Sequence, residues 1–242
     1  MKTTCLKTIE TVAKTIPPLL VGGVMLSLLA CSATQKAPVT RAEAHCGLLG
    51  RFCDRLTPGR DEQLGLRYVR PGVDWRQYQA VIIEPVTLWG DAEGGASAEV
   101  RQDLVNQFEA VLKEEFGKKF QLATRPGPGV MTLTVGLTKA ESATPVLRSI
   151  SMIVPQARVL SSGAYLVSGN FPFVGSAQVE GKVEDSVSGQ VLAAIVDKRL
   201  GGGSPTAGLQ WQWGDVEKAM HHWSETAANR LAGWTSGQEK AQ

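Results

Sequence analysis

Between Gln79 and Trp89 the chain carries an unbroken apolar run, Val81-Ile82-Ile83, followed after Pro85 by Val86 and Leu88 in alternation. Such a run predicts a strand covered on both faces. Pro85 has no amide proton to donate, which predicts a bulge or an edge position over the strand's second half. From Ala98 to Phe116 the period changes: Val100, Leu104, Val105, Phe108, Val111, Leu112 and Phe116 recur at spacings of three and four. Ser97 is placed to cap this helix, and Gly117 with Lys118 and Lys119 marks its end. Met131, Leu133, Val135 and Leu137 then interleave with Thr132, Thr134 and Gly136, the alternation of a half-buried strand. A hairpin comes later in the chain. Ala177, Val179 and Val183 alternate with Gln178, Glu180, Lys182 and Glu184, and Ser186-Val187-Ser188-Gly189 turns the chain into a return strand from Gln190 to Leu200. Gly189 is free to take the left-handed conformation that closes such a turn. A last helix, Asp215 to Trp234, places Val216, Met220, Trp223, Ala227, Leu231 and Trp234 on its core face.

The order strand, helix, strand, excursion, hairpin, helix predicts an α/β (α+β) fold. We expect a single mixed β-sheet of four or five strands with two helices packed on one face, the first strand, helix and second strand forming a crossover. Asp54 to Gln77, with Pro58-Gly59 and Arg70-Pro71-Gly72, reads as an irregular arm on the domain, Gly201 to Gly208 as a flexible connection, and 236–242 as a frayed tail. The excursion between Ala143 and Val174 is far longer than the ~4 to 6 residues usual for a connection. Val146, Leu147, Ile150, Met152, Ile153, Tyr165, Phe171 and Phe173 make it apolar, with only Arg148 and Arg158 charged. These residues are either one more buried element or an exposed patch that meets a partner, because monomers rarely leave large apolar patches bare.

The amino terminus changes the picture most. Leu28-Leu29-Ala30-Cys31 reads as a lipobox: Lys2, Lys7 and Lys14 supply a basic n-region, and Leu19 to Ala30 an apolar run shorter than the ~20 residues a bilayer span needs. The expected organisation is a removed signal peptide at 1–30, a lipidated tether with a disulfide loop at 31–53, and one domain at 54–235. Without Lys2, Lys7, Lys14 and Glu10 the remaining chain carries 22 basic and 22 acidic residues. That balance argues against a nucleic-acid partner, whose affinity comes from Lys and Arg neutralising phosphates. With Cys5 removed and Cys31 acylated, Cys46 and Cys53 remain. In an exported protein their number fits one disulfide, contributing about 2 kcal/mol by restricting the unfolded chain. Their spacing alone is not a zinc signature.

Catalytic motifs are missing. Gly202-Gly203-Ser204-Pro205-Thr206 has a proline where a nucleophile elbow needs its helix to start, and Gly127-Pro128-Gly129 lacks the rest of a dinucleotide fingerprint. Glu217, His221, His222 and Glu225 have helical spacing suited to a metal, but His221, His222 and Glu225 point away from the core face and Glu217 lies on its flank, which makes them a largely solvated surface. Trp211 and Trp213 would share one side of an extended segment, either as an aromatic shelf or as packing over the sheet edge. We therefore expect no enzyme, no cofactor and no metal.

Several landmarks together carry a resemblance: Tyr78 with Val81-Ile82-Ile83-Glu84-Pro85-Val86 and Trp89; Pro126-Gly127-Pro128-Gly129-Val130; Val183-Glu184-Asp185 with Ser188-Gly189-Gln190-Val191-Leu192-Ala193; and Trp213-Gly214-Asp215 before the Trp223 helix. From about Leu66 to Trp234 the chain resembles the bacterial lipoprotein family known as domain of unknown function 3313, which has no assigned catalytic or ligand-binding residues. The resemblance implies a lipid-anchored envelope protein of Gram-negative bacteria, with acyl chains on Cys31 as its membrane partner. Ser32, where an aspartate would favour retention at the inner membrane, implies the outer membrane, facing the periplasm. The topology is also similar to the α/β domains of lipoproteins that assemble in curli and exopolysaccharide secretion, an analogy of fold only. The expected function is a non-enzymatic binding or assembly module, with an envelope protein or a second copy as partner. The alternatives are a subunit of an oligomeric envelope secretion complex and a hydrolase whose site no linear motif reveals. Acyl chains contribute ~0.8 kcal/mol per buried methylene, so Cys31→Ser is predicted to release the domain to the soluble fraction or leave an uncleaved precursor. Processed, membrane-bound protein in that variant, seen by fractionation, would refute the lipobox.

Overall fold

The computed structural model describes residues 34–60, 63–89, 97–141, 176–200 and 213–241. In chain order its strands are β1 (Gln35–Ala37), β2 (Thr57–Pro58), β3 (Leu66–Val69), β4 (Ala80–Ile83), β5 (Thr87–Leu88), β6 (Gln121–Leu122), β7 (Val130–Glu141), β8 (Ser176–Asp185) and β9 (Val191–Leu200). The helices are α1 (Ala98–Gly117) between β5 and β6, and α2 (Gly214–Thr235) after β9. All nine strands form one mixed sheet in the order β2-β3-β9-β8-β7-β4-β6, with β1 added to β9 and β5 to β7. The long antiparallel strands β7, β8 and β9 are its middle, and β4 runs parallel to β7 across the α1 crossover.

The expected four or five strands are thus corrected to nine among the described residues. β1, β2, β3 and β6 come from segments read as tether, arm and loop; at two to four residues each they are too short to display a two-residue period. Pro85 does bulge its strand: Ile83 stands opposite Leu133 and Thr87 opposite Gly136, four steps on one strand against three on the other. Ser97 caps α1 as expected, its side chain accepting from the Val100 amide at 3.3 Å, and Gly189 takes φ +66° in the hairpin turn. The tail expected to fray folds back instead. Gly237 adopts φ +73°, the Glu239 amide donates to the Gly233 carbonyl at 3.0 Å, and Ala241 packs on the core.

Two cores result, one on each face of the sheet. On the first, Leu104, Phe108, Leu112 and Phe116 of α1 and Val216, Met220, Trp223, Leu231 and Trp234 of α2 pack on Met131, Leu133, Val135, Leu137, Val179 and Val183. Phe108 meets Trp223 at 6.2 Å, and Trp234 meets Trp75 at 4.8 Å between ring centroids. On the second face Val39, Leu49, Cys53 and Leu56 cover Leu66, Tyr68, Val191, Ala194 and Val196. The amino-terminal segment is therefore a layer of the domain. Residues of 34–53, expected as a tether with a disulfide loop, pack here against the sheet. Gly136 marks how closely this layer lies: a Cβ there would stand 2.7 Å from the Trp89 ring and 3.0 Å from Leu48. Phe108 is 1% exposed, so Phe108→Ala should cost about 3–5 kcal/mol in urea unfolding. A cost under about 1 kcal/mol would contradict this packing.

Candidate functional site

The amino-terminal layer is pinned by covalent and polar contacts. Cys46 and Cys53 are joined, with Cα atoms 5.7 Å apart, around the short helical turn Gly50–Arg55. Cys46 has φ +59°, a left-handed backbone uncommon outside glycine. In that conformation its amide donates to Oε1 of Glu180 at 2.8 Å. Glu180 is fully buried, and its other oxygen has no hydrogen-bond partner among the described residues. Two residues along β8, the side-chain Nε2 of Gln178 donates to the Glu43 carbonyl at 2.9 Å. Its cross-strand partner Lys198 places Nζ 3.8 Å from the Glu43 carboxylate. Hydrogen bonds from the Thr40 amide and hydroxyl hold the Glu43 carboxyl below its ordinary range, against a smaller opposing effect of burial.

On the helix face the centre is Asp197, fully buried. It accepts from the Gly65 amide at 2.7 Å, the Trp223 indole at 2.7 Å and Arg199 Nε at 2.9 Å. One carboxylate thus ties β9 to the entry of β3 and to α2, and its charge is met by three donors. His222 lies beside this group. Burial, then the Arg199 charge, push its imidazole below the ordinary range, with Asp197 pulling the other way. His221 and Glu225 are exposed, and no group of His, Cys, Asp and Glu among the described residues could hold a metal ion. The shelf imagined for Trp211 and Trp213 is not formed by Trp213, which is 1% exposed at the start of α2, while Trp211 lies outside the described residues.

A third cluster joins the entry of β4 to two turns. The Tyr78 hydroxyl donates to Asp185 at 3.0 Å, and Asp185 also accepts from the amides of Val187 and Ser188 and from the Ser188 hydroxyl. Ser186 exchanges hydrogen bonds with the amide and carbonyl of Gly127 at 3.1 and 3.2 Å. Burial, then the Asp185 contact, push the Tyr78 phenol up to about 12; the Ser188 amide and hydroxyl hold the Asp185 carboxyl below its usual range. Tyr78, Gly127, Asp185 and Ser188, scattered along the sequence, are one junction.

The profile of a family described as a protein of unknown function, DUF3313, matches residues 46–227. The chain belongs to this family. No curated protein matches it. Among solved structures it is similar to the PelC dodecamer from Paraburkholderia phytofirmans (8% identity, 66% of this chain and 94% of that one, TM-score 0.37). It is also similar to protein XCC0632 from Xanthomonas campestris (12%, 71% and 94%, 0.39) and to lipoprotein GNA1162 from Neisseria meningitidis (13%, 64% and 99%, 0.25).

Cys31 and the apolar residues Val146, Leu147, Ile150, Met152, Ile153, Tyr165, Phe171 and Phe173 lie outside the described residues. Sequence reading missed the buried Glu180 and Gln178, whose alternation looked solvent-facing because nothing announced a covering layer. Asp197 did leave a signal: a carboxylate directly after Val191–Val196, an apolar run fit for a doubly covered strand. His222 yields a test. Its folded pKa lies below the unfolded value of ~6.5, so the neutral ring favours the fold. That contribution is present above pH ~6.5 and is lost as pH falls through the lower folded value. The melting temperature is expected to drop between pH 7.5 and 5.5 by less in His222→Gln than in the parent protein; equal drops would contradict the burial of this ring.

Proposed function

We propose that the protein is a non-enzymatic assembly module of the Gram-negative envelope. Acyl chains on Cys31 hold it on the outer membrane, facing the periplasm, and it presents the apolar segment 143–174 to a protein partner or a second copy. One observation carries the reading. Glu141 pairs with Ser176, Ser176 with Leu200, and Leu200 with Gln35, a single row across one end of the sheet. The apolar segment leaves the sheet at Glu141 and rejoins it at Ser176, so both its ends are in that row. Cys31 precedes Gln35 by four residues, which at ~3.3 Å each span roughly 13 Å.

In this reading only three residues separate Cys31 from β1, and the segment 143–174 is joined to the sheet in the row to which Gln35 belongs. A partner engaged there would meet the protein close to the bilayer surface. The absence of catalysis is supported by how the polar groups are used: Asp197, Asp185 and Glu43 each accept from donors on the chain itself and join elements together. Among the described residues no helix is long and apolar enough to cross a membrane.

Replacing 143–174 with a short Gly-Ser linker tests it. The expected result is a domain that melts cooperatively at an undiminished temperature but runs at a smaller native mass in detergent, or no longer retains its envelope partner. A domain that fails to fold would assign these residues to the core, and an unchanged native mass and partner set would also overturn the reading.

A further inference from the structure

The edge of the sheet at β2 and β3 gathers guanidinium groups that the proposed function does not use. Arg55, Arg60 and Arg67 line one cavity of about 380 Å³ together with Thr57 and Gln63. Arg67 is 9% exposed, and no carboxylate among the described residues pairs with it. Burial first, then the like charges of Arg230 and Arg60, work against its protonated form. Arg230, reaching over from α2, has a buried Nε with no hydrogen-bond partner among the described residues. Its neighbours one turn away on the helix, Thr226, Ala227, Gly233 and Trp234, offer no acid. Arg55 lies over the Tyr68 ring at 4.7 Å, which fixes its plane and leaves its donor edge free. Gln63 accepts the Arg60 amide through Oε1 at 3.1 Å, which leaves its NH2 group as a donor.

An arginine cannot relieve such crowding by losing its proton. Removing one partner from a buried charge is strongly destabilising, so a cluster of like charges that no acid among the described residues meets asks for an anion from outside. Guanidinium forks match phosphate oxygens in pairs, and several such groups suit a phosphate better than a single carboxylate. We propose that the cavity lined by Arg55, Arg60 and Arg67 binds the phosphate group of a ligand. The chemistry is shared by a free phosphate or phosphomonoester and by the phosphodiester headgroup of an anionic lipid.

The test uses the full acylated protein in neutral detergent, titrated calorimetrically with inorganic phosphate against chloride at matched ionic strength. Saturable binding and a raised melting temperature are expected. Arg60→Gln, at an exposed side chain, and Arg67→Lys, which keeps the charge but loses the fork, should each weaken phosphate binding at least tenfold. In Arg60→Gln the phosphate-free melting temperature should be equal or higher. The same titration with glycerophosphoglycerol, the water-soluble headgroup of an anionic phospholipid, separates the sources: tighter binding than inorganic phosphate assigns a lipid headgroup, weaker binding a free phosphate or monoester. No saturable binding by the parent protein would overturn the site and mean that the chain neutralises the cluster itself; Asp61 and Glu62, adjacent in sequence, lie outside the described residues. Undiminished affinity in both variants would overturn it equally.

Discussion

Covering the β8–β9 pair on both faces is the constraint from which the rest of this structure follows. Fifteen of the twenty residues of the two strands are buried, including Gln178, Glu180, Asp197 and Lys198. A sheet with helices on one face alone would leave Gln178, Glu180 and Lys198 in water at no cost. Placing the amino-terminal layer over them requires desolvating two charges and an amide, which is unfavourable unless each finds a partner. The Cys46 amide, the Glu43 carbonyl and the Glu43 carboxylate are those partners, and all three come from the covering layer itself. The apolar part of the layer, Val39, Leu49 and Leu56, supplies the driving force at roughly 25 cal/mol per Å² removed from water.

This arrangement explains why a disulfide sits where it does. The turn that contains Cys46 must hold a left-handed residue to aim an amide at a buried carboxylate, and closing a loop of seven residues' separation removes unfolded conformations worth about 2 kcal/mol. On the opposite face the same problem is solved without a covalent bond. Asp197 takes three donors from three separate elements, so the carboxylate acts as a tie between layers. The Tyr78–Asp185 junction does the same at the other end of β8. The domain thus has one end fixed by turn chemistry and an opposite end, the row of Gln35, Leu200, Ser176 and Glu141, where the sheet strands flank the segment 142–175 in sequence.

Residue patterning by itself determined the two helices, the three long strands, the hairpin turn and the bulge at Pro85, because each is a local matter: a period of 3.6 or 2, a cap, a missing amide. Both helix boundaries lie within a residue of the pattern's limits. The spacing of Cys46 and Cys53 was likewise legible as a short loop. The second layer was not. β1, β2 and β3 are too short to show a period; β1 and β3 exist because β9 offers an edge to which they add, and β2 adds to β3 in turn. That edge, and with it the burial of Glu180 and the gathering of Arg55, Arg60 and Arg67, was decided by tertiary structure alone, since it depends on which distant segments meet and no local rule of sequence encodes that meeting.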